Sequence, residues 1–319
     1  MIRIGFRYDY AMHISRPGAR AVIGIALVGA GITVAACGSA QARPPAGARV
    51  VLNVVAAENT WGSLAGQLGG RQVHVLSLLR DPNADPHQFE GDAADARALA
   101  RANLVVVNGA GYDGWATKML AAGPSPGRRV LSVARLVGTR PGENPHLWYD
   151  PVVVTRAANA LTAEYETLEP AERAYFAARH RMVMERLAGL FGEMASIRAH
   201  HRGAKVAATE SIFVYLARYL RLDLVTPPAF MDAISAGTDP PAQALAEFSR
   251  QIAHHAFGVL VYNVQTVTPL TSGLVSEARS QGISVVPVSE TIIPRQASYE
   301  AWMGRQIRQL AAALAERPA

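Results

Sequence analysis

The sequence has a single cysteine, Cys37, in 319 residues. It therefore has no disulfide partner within the chain. Lysine is almost missing: Lys118 and Lys205 stand against a basic complement that is otherwise arginine. Charged residues make up only 18%, against 50% hydrophobic, and no block of like charge or low-complexity tract occurs. Disorder is excluded as the main character of the chain. The net charge of +6 is concentrated at the start, where residues 1–36 carry Arg3, Arg7, Arg16 and Arg20 against Asp9. Residues 37–319 hold 27 basic and 24 acidic side chains. A body so close to balance is not a nucleic-acid binder by charge. No His-Glu-x-x-His occurs, so the common helical zinc-hydrolase motif is absent. The length exceeds one compact core and suits two lobes of a hundred-odd residues each.

The uncharged run Ala21–Ala36 follows the four arginines. It falls short of the roughly 20 apolar residues of a membrane span and fits the core of an export signal. It ends Val34-Ala35-Ala36-Cys37, which resembles the lipobox of bacterial lipoproteins. That resemblance implies cleavage after Ala36, a diacylglycerol thioether on Cys37, and a protein anchored by lipid outside the cell membrane. Residues 1–36 are then a signal peptide, and residues 37–49, small, polar and proline-bearing, a tether.

The remainder reads as two similar halves. In the first, apolar runs at 50–57, 73–79, 104–108 and 130–133 alternate with helical segments. In the second, runs at 205–208, 222–226, 258–263 and 283–288 do the same. LVVVN (104–108) and VLVYN (259–263) each follow an amphipathic segment and look like pseudo-repeats. Alternation of this kind predicts an α/β fold of two β/α lobes with parallel-type sheets. Between them, 171–201 carries Phe176, Val183, Leu187, Leu190, Phe191, Met194 and Ile197 at helical spacing. One long connecting helix is expected there, about 46 Å at ~1.5 Å per residue. The expected divisions are an N-terminal lobe at 50–168, the connecting helix at 169–202 and a C-terminal lobe at 203–319.

Nine histidines are present. His254 and His255 are read as helix neighbours whose side chains diverge by about 100° and so cannot chelate together. His87 and His146 are different. They sit in Asp85-Pro86-His87 and Asn144-Pro145-His146, where proline stiffens the turn that presents the imidazole. Both loops are expected beyond strand ends, where open α/β sheets bind ligands.

Together, residues 83–115 and Asn144-Pro145-His146-Leu147-Trp148-Tyr149-Asp150-Pro151 resemble the two ligand blocks of the zinc/manganese solute-binding proteins of bacterial ABC importers. The likeness extends over 50–316. It implies a metal site in the cleft between lobes, with a third ligand at Glu210 and a fourth at Glu290. Both depart in type from the family, where His is common at the third position and Asp usual at the fourth. Glu58, ending the first strand, mirrors Glu210 and is kept as a rival fourth ligand or a hydrogen-bonding neighbour of a liganding histidine. Asp239 is read as a helix cap before Pro240.

Two neutral imidazoles and two carboxylates carry a charge of −2, matching Zn²⁺, Mn²⁺ or Fe²⁺; bidentate carboxylates would favour Mn²⁺ or Fe²⁺, monodentate ones tetrahedral Zn²⁺. Four protein ligands leave no open position for a metal-bound nucleophile, so an enzyme is not expected. The reading is a monomeric importer component that hands its metal to an ABC permease. Alternatives are a surface adhesin of the same fold and a binding protein for an organic solute.

Overall fold

The computed structural model describes residues 52–82 and 88–316. Cys37 and His87 lie outside the described residues. Each half is built on a four-stranded parallel sheet, in the orders β2-β1-β3-β4 and β6-β5-β7-β8. The two orders are the same once the second set is renumbered, which is the pseudo-repeat seen in the sequence.

The first lobe runs β1 (Leu52–Glu58), α1 (Asn59–Gly69), β2 (Val73–Leu79), α2 (Ala93–Arg101), β3 (Leu104–Val107), α3 (Gly114–Ala122), β4 (Arg129–Ser132) and α4 (Val133–Val137). Then come α5 (Pro151–Leu168) and the long α6 (Arg173–His200). The second lobe runs β5 (Lys205–Ala208), α7 (Val214–Leu220), β6 (Asp223–Leu224), α8 (Pro228–Ser235), α9 (Ala242–Ala253), β7 (Val259–Asn263), α10 (Pro269–Ser280), β8 (Ser284–Val288) and α11 (Tyr299–Ala315).

Successive strand residues face opposite sides of a sheet, and here both sides are apolar. Val54, Ala56, Leu104 and Val106 join one core cluster, while Val55, Ala57, Val105 and Val107 join a second beneath α2 and α3. In the other lobe Val206, Ala208, Val259 and Val261 point into the first cluster. Ala207 and Leu260 point into a third with Phe230, Phe248 and Phe257. The first cluster is therefore shared: it passes from Trp61 and Leu64 through Tyr165, Phe176 and Leu187 to Phe213, Trp302 and Ile307. Helix α6 supplies Phe176, Val183, Leu187, Leu190, Met194 and Ile197 to it from one buried stripe. Its 28 residues span about 42 Å at ~1.5 Å each. It packs on α1, α5, α7 and α11. The lobes are thus joined by continuous packing as well as by chain.

Local chemistry sets several boundaries. Asp92 caps α2 in a reciprocal capping box with Asp95. Asp150 caps α5, with Pro151 in its first turn. Two expectations are corrected. Asp239 caps nothing: α9 begins at Ala242, with Pro241 as its flanking residue and no side-chain cap. Two successive prolines delay the helix start. His254 and His255 lie just past α9, and His255 takes a left-handed φ of 50°. Helices α4 and α8 were not anticipated; they are five and eight residues long, too short for a periodic pattern to declare itself.

Candidate metal centre

The strand ends of both lobes meet at a buried point. His146 precedes a short 3₁₀ turn, Leu147–Tyr149, and is fully buried. Its loop is fastened on both sides. The Pro145 carbonyl accepts from Asn108 Nδ2 at 2.9 Å, just past β3, and Asn108 Oδ1 accepts from Trp61 Nε1 at 3.1 Å. Asn144 Nδ2 donates to the Ser211 carbonyl at 2.7 Å, and Tyr215 Oη donates to the Asn144 carbonyl at 2.8 Å.

These bonds also determine the imidazole tautomer. Because Asn144 Nδ2 is used on Ser211, its Oδ1 faces the ring, 2.8 Å from His146 Nδ1. An amide oxygen only accepts, so Nδ1 carries the hydrogen and Nε2 of the neutral ring keeps a lone pair. Nε2 lies 3.7 Å from Glu290 Oε2.

Glu210 follows β5 in extended backbone (φ −159°) and Glu290 follows β8; both are buried. One ligand-capable atom from each of His146, Glu210 and Glu290 lies within 4.8 Å of the others. Asn263, the last residue of β7, donates through Nδ2 to Glu210 Oε1 and, at 2.8 Å, to Glu290 Oε1. Tyr112 Oη of the first lobe donates to Glu290 Oε2 at 2.6 Å, and Ser235 Oγ lies 3.3 Å from Glu210 Oε2. Gln265 Oε1 accepts from the Glu290 and Thr291 backbone N–H groups at 2.8 and 2.9 Å. The Asn263 and Tyr112 donors are neutral. Two carboxylates buried this close together are costly without positive charge near them. Burial, and then the Glu290 charge, hold the Tyr112 phenol well above its ordinary pKa, so it stays a donor.

The structure brings His146, Glu210 and Glu290 together and leaves Glu58 out. Glu58 is buried at the end of β1, with its carboxyl set against that of Asp113. Burial first, then the Asp113 charge, push its carboxyl well above the usual carboxylate range. Asp113, also raised by burial, accepts from the Asn108 and Gly109 backbone N–H groups at 2.6 and 2.9 Å, which favour its charged form.

An acid whose folded pKa is raised takes up a proton on folding. Its favourable contribution is therefore present at low pH and lost as pH rises above the ordinary carboxylate value toward the folded one. Glu58→Gln should gain stability over the parent by the order of 1 kcal/mol at pH 8, with the gap closing toward pH 4. Urea melts at the two pH values measure it. Metal affinity of this variant should stay within about threefold of the parent, because a rival ligand would lose far more.

Asn263, Tyr112 and Ser235 were not singled out in the sequence, and Asn144 was named only as part of the block that carries His146. One signal for Asn263 was present. LVVVN and VLVYN both end in asparagine, and both asparagines are fully buried and span two partners. A polar residue closing two matched apolar strands marks a buried hydrogen-bond hub.

Residues 54–313 match the sequence profile of the family described as zinc-uptake complex component A, periplasmic (ZnuA). Two curated relatives are candidate metal-binding proteins. One, from Treponema pallidum (strain Nichols), is 26% identical over 52% of this chain; the other, from Thermotoga maritima, is 30% identical over 31%. The matches span 58% and 34% of those proteins. Three solved structures share the fold. The periplasmic zinc-binding protein TroA of Treponema pallidum superposes with a TM-score of 0.70 at 17% identity, over 82% of this chain and 99% of that one. The solute-binding protein FpvC of P. aeruginosa, solved with Ni²⁺, gives 0.69 at 21%, over 84% and 98%. The laminin-binding protein of Streptococcus agalactiae, titled bifunctional with adhesin and metal-transporting activity, gives 0.66 at 18%, over 82% and 99%.

Proposed function

Since the chain belongs to the periplasmic zinc-uptake component A (ZnuA) family, we propose that it is the extracytoplasmic solute-binding component of an ABC importer. It captures a divalent transition metal, Zn²⁺ or Mn²⁺, and delivers it to a membrane permease. The observation that carries this reading is the convergence of His146 Nε2 with the Glu210 and Glu290 carboxylates at one buried point. An imidazole in the lone-pair tautomer and two buried carboxylates form a nitrogen–oxygen set that a divalent ion of this class fits. His87 is assigned as the remaining ligand on its Asp85-Pro86-His87 sequence, which repeats the form of Asn144-Pro145-His146, and Fe²⁺ is compatible with the same donors. Cation capture at a preformed donor set requires no reaction, so the protein is read as a carrier rather than an enzyme. Adhesion of the kind named for the Streptococcus agalactiae protein would use the outer surface and leave this centre to metal.

The test is direct. The purified protein is stripped with a chelator and titrated with Zn²⁺ and Mn²⁺ in competition. One ion per chain at submicromolar affinity is expected; no binding of either ion would refute the proposal.

No helix among the described residues is long and apolar enough to cross a membrane. Membrane attachment is assigned to lipid on Cys37. In Cys37→Ser the thiol that receives lipid is gone, so the protein should remain unprocessed or be shed into the medium. Membrane fractionation with mass spectrometry reads this out. A Ser variant that partitions with membranes at the parent's mature mass would exclude the anchor.

A further inference from the structure

The Asn263 amide has both of its N–H groups in use. It has two N–H groups and one oxygen. Nδ2 donates to Glu210 Oε1 and to Glu290 Oε1, and Oδ1 accepts from the Gln265 backbone N–H at 3.0 Å. Its place at the C-terminal end of β7, next to β5 and β8 in the sheet, lies between the two strands whose ends carry the glutamates. The oxygens are divided by role. On Glu290 the amide takes Oε1, while Oε2 is the atom nearest His146 Nε2, at 3.7 Å, and also accepts from Tyr112 Oη. On Glu210 the amide again takes Oε1, while Oε2 lies toward Ser235. The carboxylates meet donors from different elements: Asn263 at the end of β7, Ser235 at the end of α8 for Glu210, and Tyr112 in the loop after β3 for Glu290.

We propose that Asn263 is a positioning residue that ties the two carboxylates together and holds each to one-oxygen ligation, so that the centre favours a four-coordinate cation over one of higher coordination number. This rests on the metal-binding reading above and deepens it. Chelation by both oxygens of a carboxylate needs the group to rotate its plane toward the ion. An N–H held on one oxygen by an amide whose donors are both engaged resists that rotation. A tetrahedral Zn²⁺ needs one oxygen from each glutamate, whereas Mn²⁺ gains from carboxylates that chelate and raise its coordination number.

The experiment is competition titration of the chelator-stripped protein with Zn²⁺ and Mn²⁺, on the parent, Asn263→Ala and Tyr112→Phe. The last frees the other Glu290 oxygen from the opposite lobe, and it keeps the test open should Asn263→Ala fold poorly. In each variant the Zn²⁺-over-Mn²⁺ affinity ratio should fall by about tenfold, the size usual for partners that orient ligands. X-ray absorption of the Mn²⁺-loaded variant should show more oxygen neighbours than the parent. An unchanged ratio, or equal weakening of both ions, would overturn the proposal by reducing Asn263 to a packing role. A parent that binds neither ion would instead defeat the metal-binding reading, and this inference with it.

Discussion

His146→Ala should abolish high-affinity metal binding. Structural zinc sites gain roughly 10–16 kcal/mol from about four ligands, so one ligand accounts for roughly 3 kcal/mol, a loss of about a hundredfold or more. The loss has a second source here. The loop that carries His146 is already ordered by Asn108, Asn144 and Tyr215, so the parent spends little on arranging it. His87→Ala should behave alike. His254→Ala and His255→Ala should not, since both follow α9 and neither belongs to the cluster. Asn144→Ala should lie between, about tenfold to a hundredfold weaker, because it releases the tautomer without removing the ligand. Titration of the five variants under one condition decides it. Equal losses at His146 and His254 would overturn the ligand assignment.

Metal should also raise the stability of the whole chain, by about 4 kcal/mol at a thousandfold excess of ion over Kd. The effect should reach both lobes in one transition. Glu210 and Glu290 belong to the second lobe, Tyr112 holds Glu290 from the first, and the hydrophobic cluster around α6 runs through both. Acid should cancel the gain, because imidazole and carboxylate bind metal only after losing their protons. Thermal melts with and without Zn²⁺ at pH 7.5 and pH 5 would show the shift at the first pH and its shrinkage at the second. A metal-induced shift that persists undiminished in acid would argue against histidine and carboxylate ligands.

The two-lobe α/β architecture could be read from the chain alone. Parallel strands buried on both faces must be apolar at nearly every position, and Leu104–Val107 and Val259–Asn263 announce this directly. The long helix was equally open to reading, because Phe176 through Ile197 repeat at the helical period. The proline-preceded His146 and the glutamates just past strand ends were local features too. Short elements were not legible: α4 and α8 offer too few turns, and the Asp239 cap yielded to two prolines.

What local pattern could not decide was which of three strand-end glutamates face one another. Glu58 and Glu210 occupy equivalent places in the two halves, one ending β1 and the other just past β5, and both are buried. Their sequence surroundings do not separate them. The fold does, by setting Glu58 against Asp113, whose charge together with burial raises its pKa. It sets Glu210 against Asn263, an amide that donates to it, and beside His146 and Glu290. The Glu290–Tyr112 bond likewise joins residues 178 positions apart. Secondary structure follows from neighbours in the chain, because backbone hydrogen bonds and side-chain periodicity act over a few residues. The protonation and orientation of a buried carboxylate follow from neighbours in space, because in a desolvated interior the nearest donor or charge outweighs everything further away.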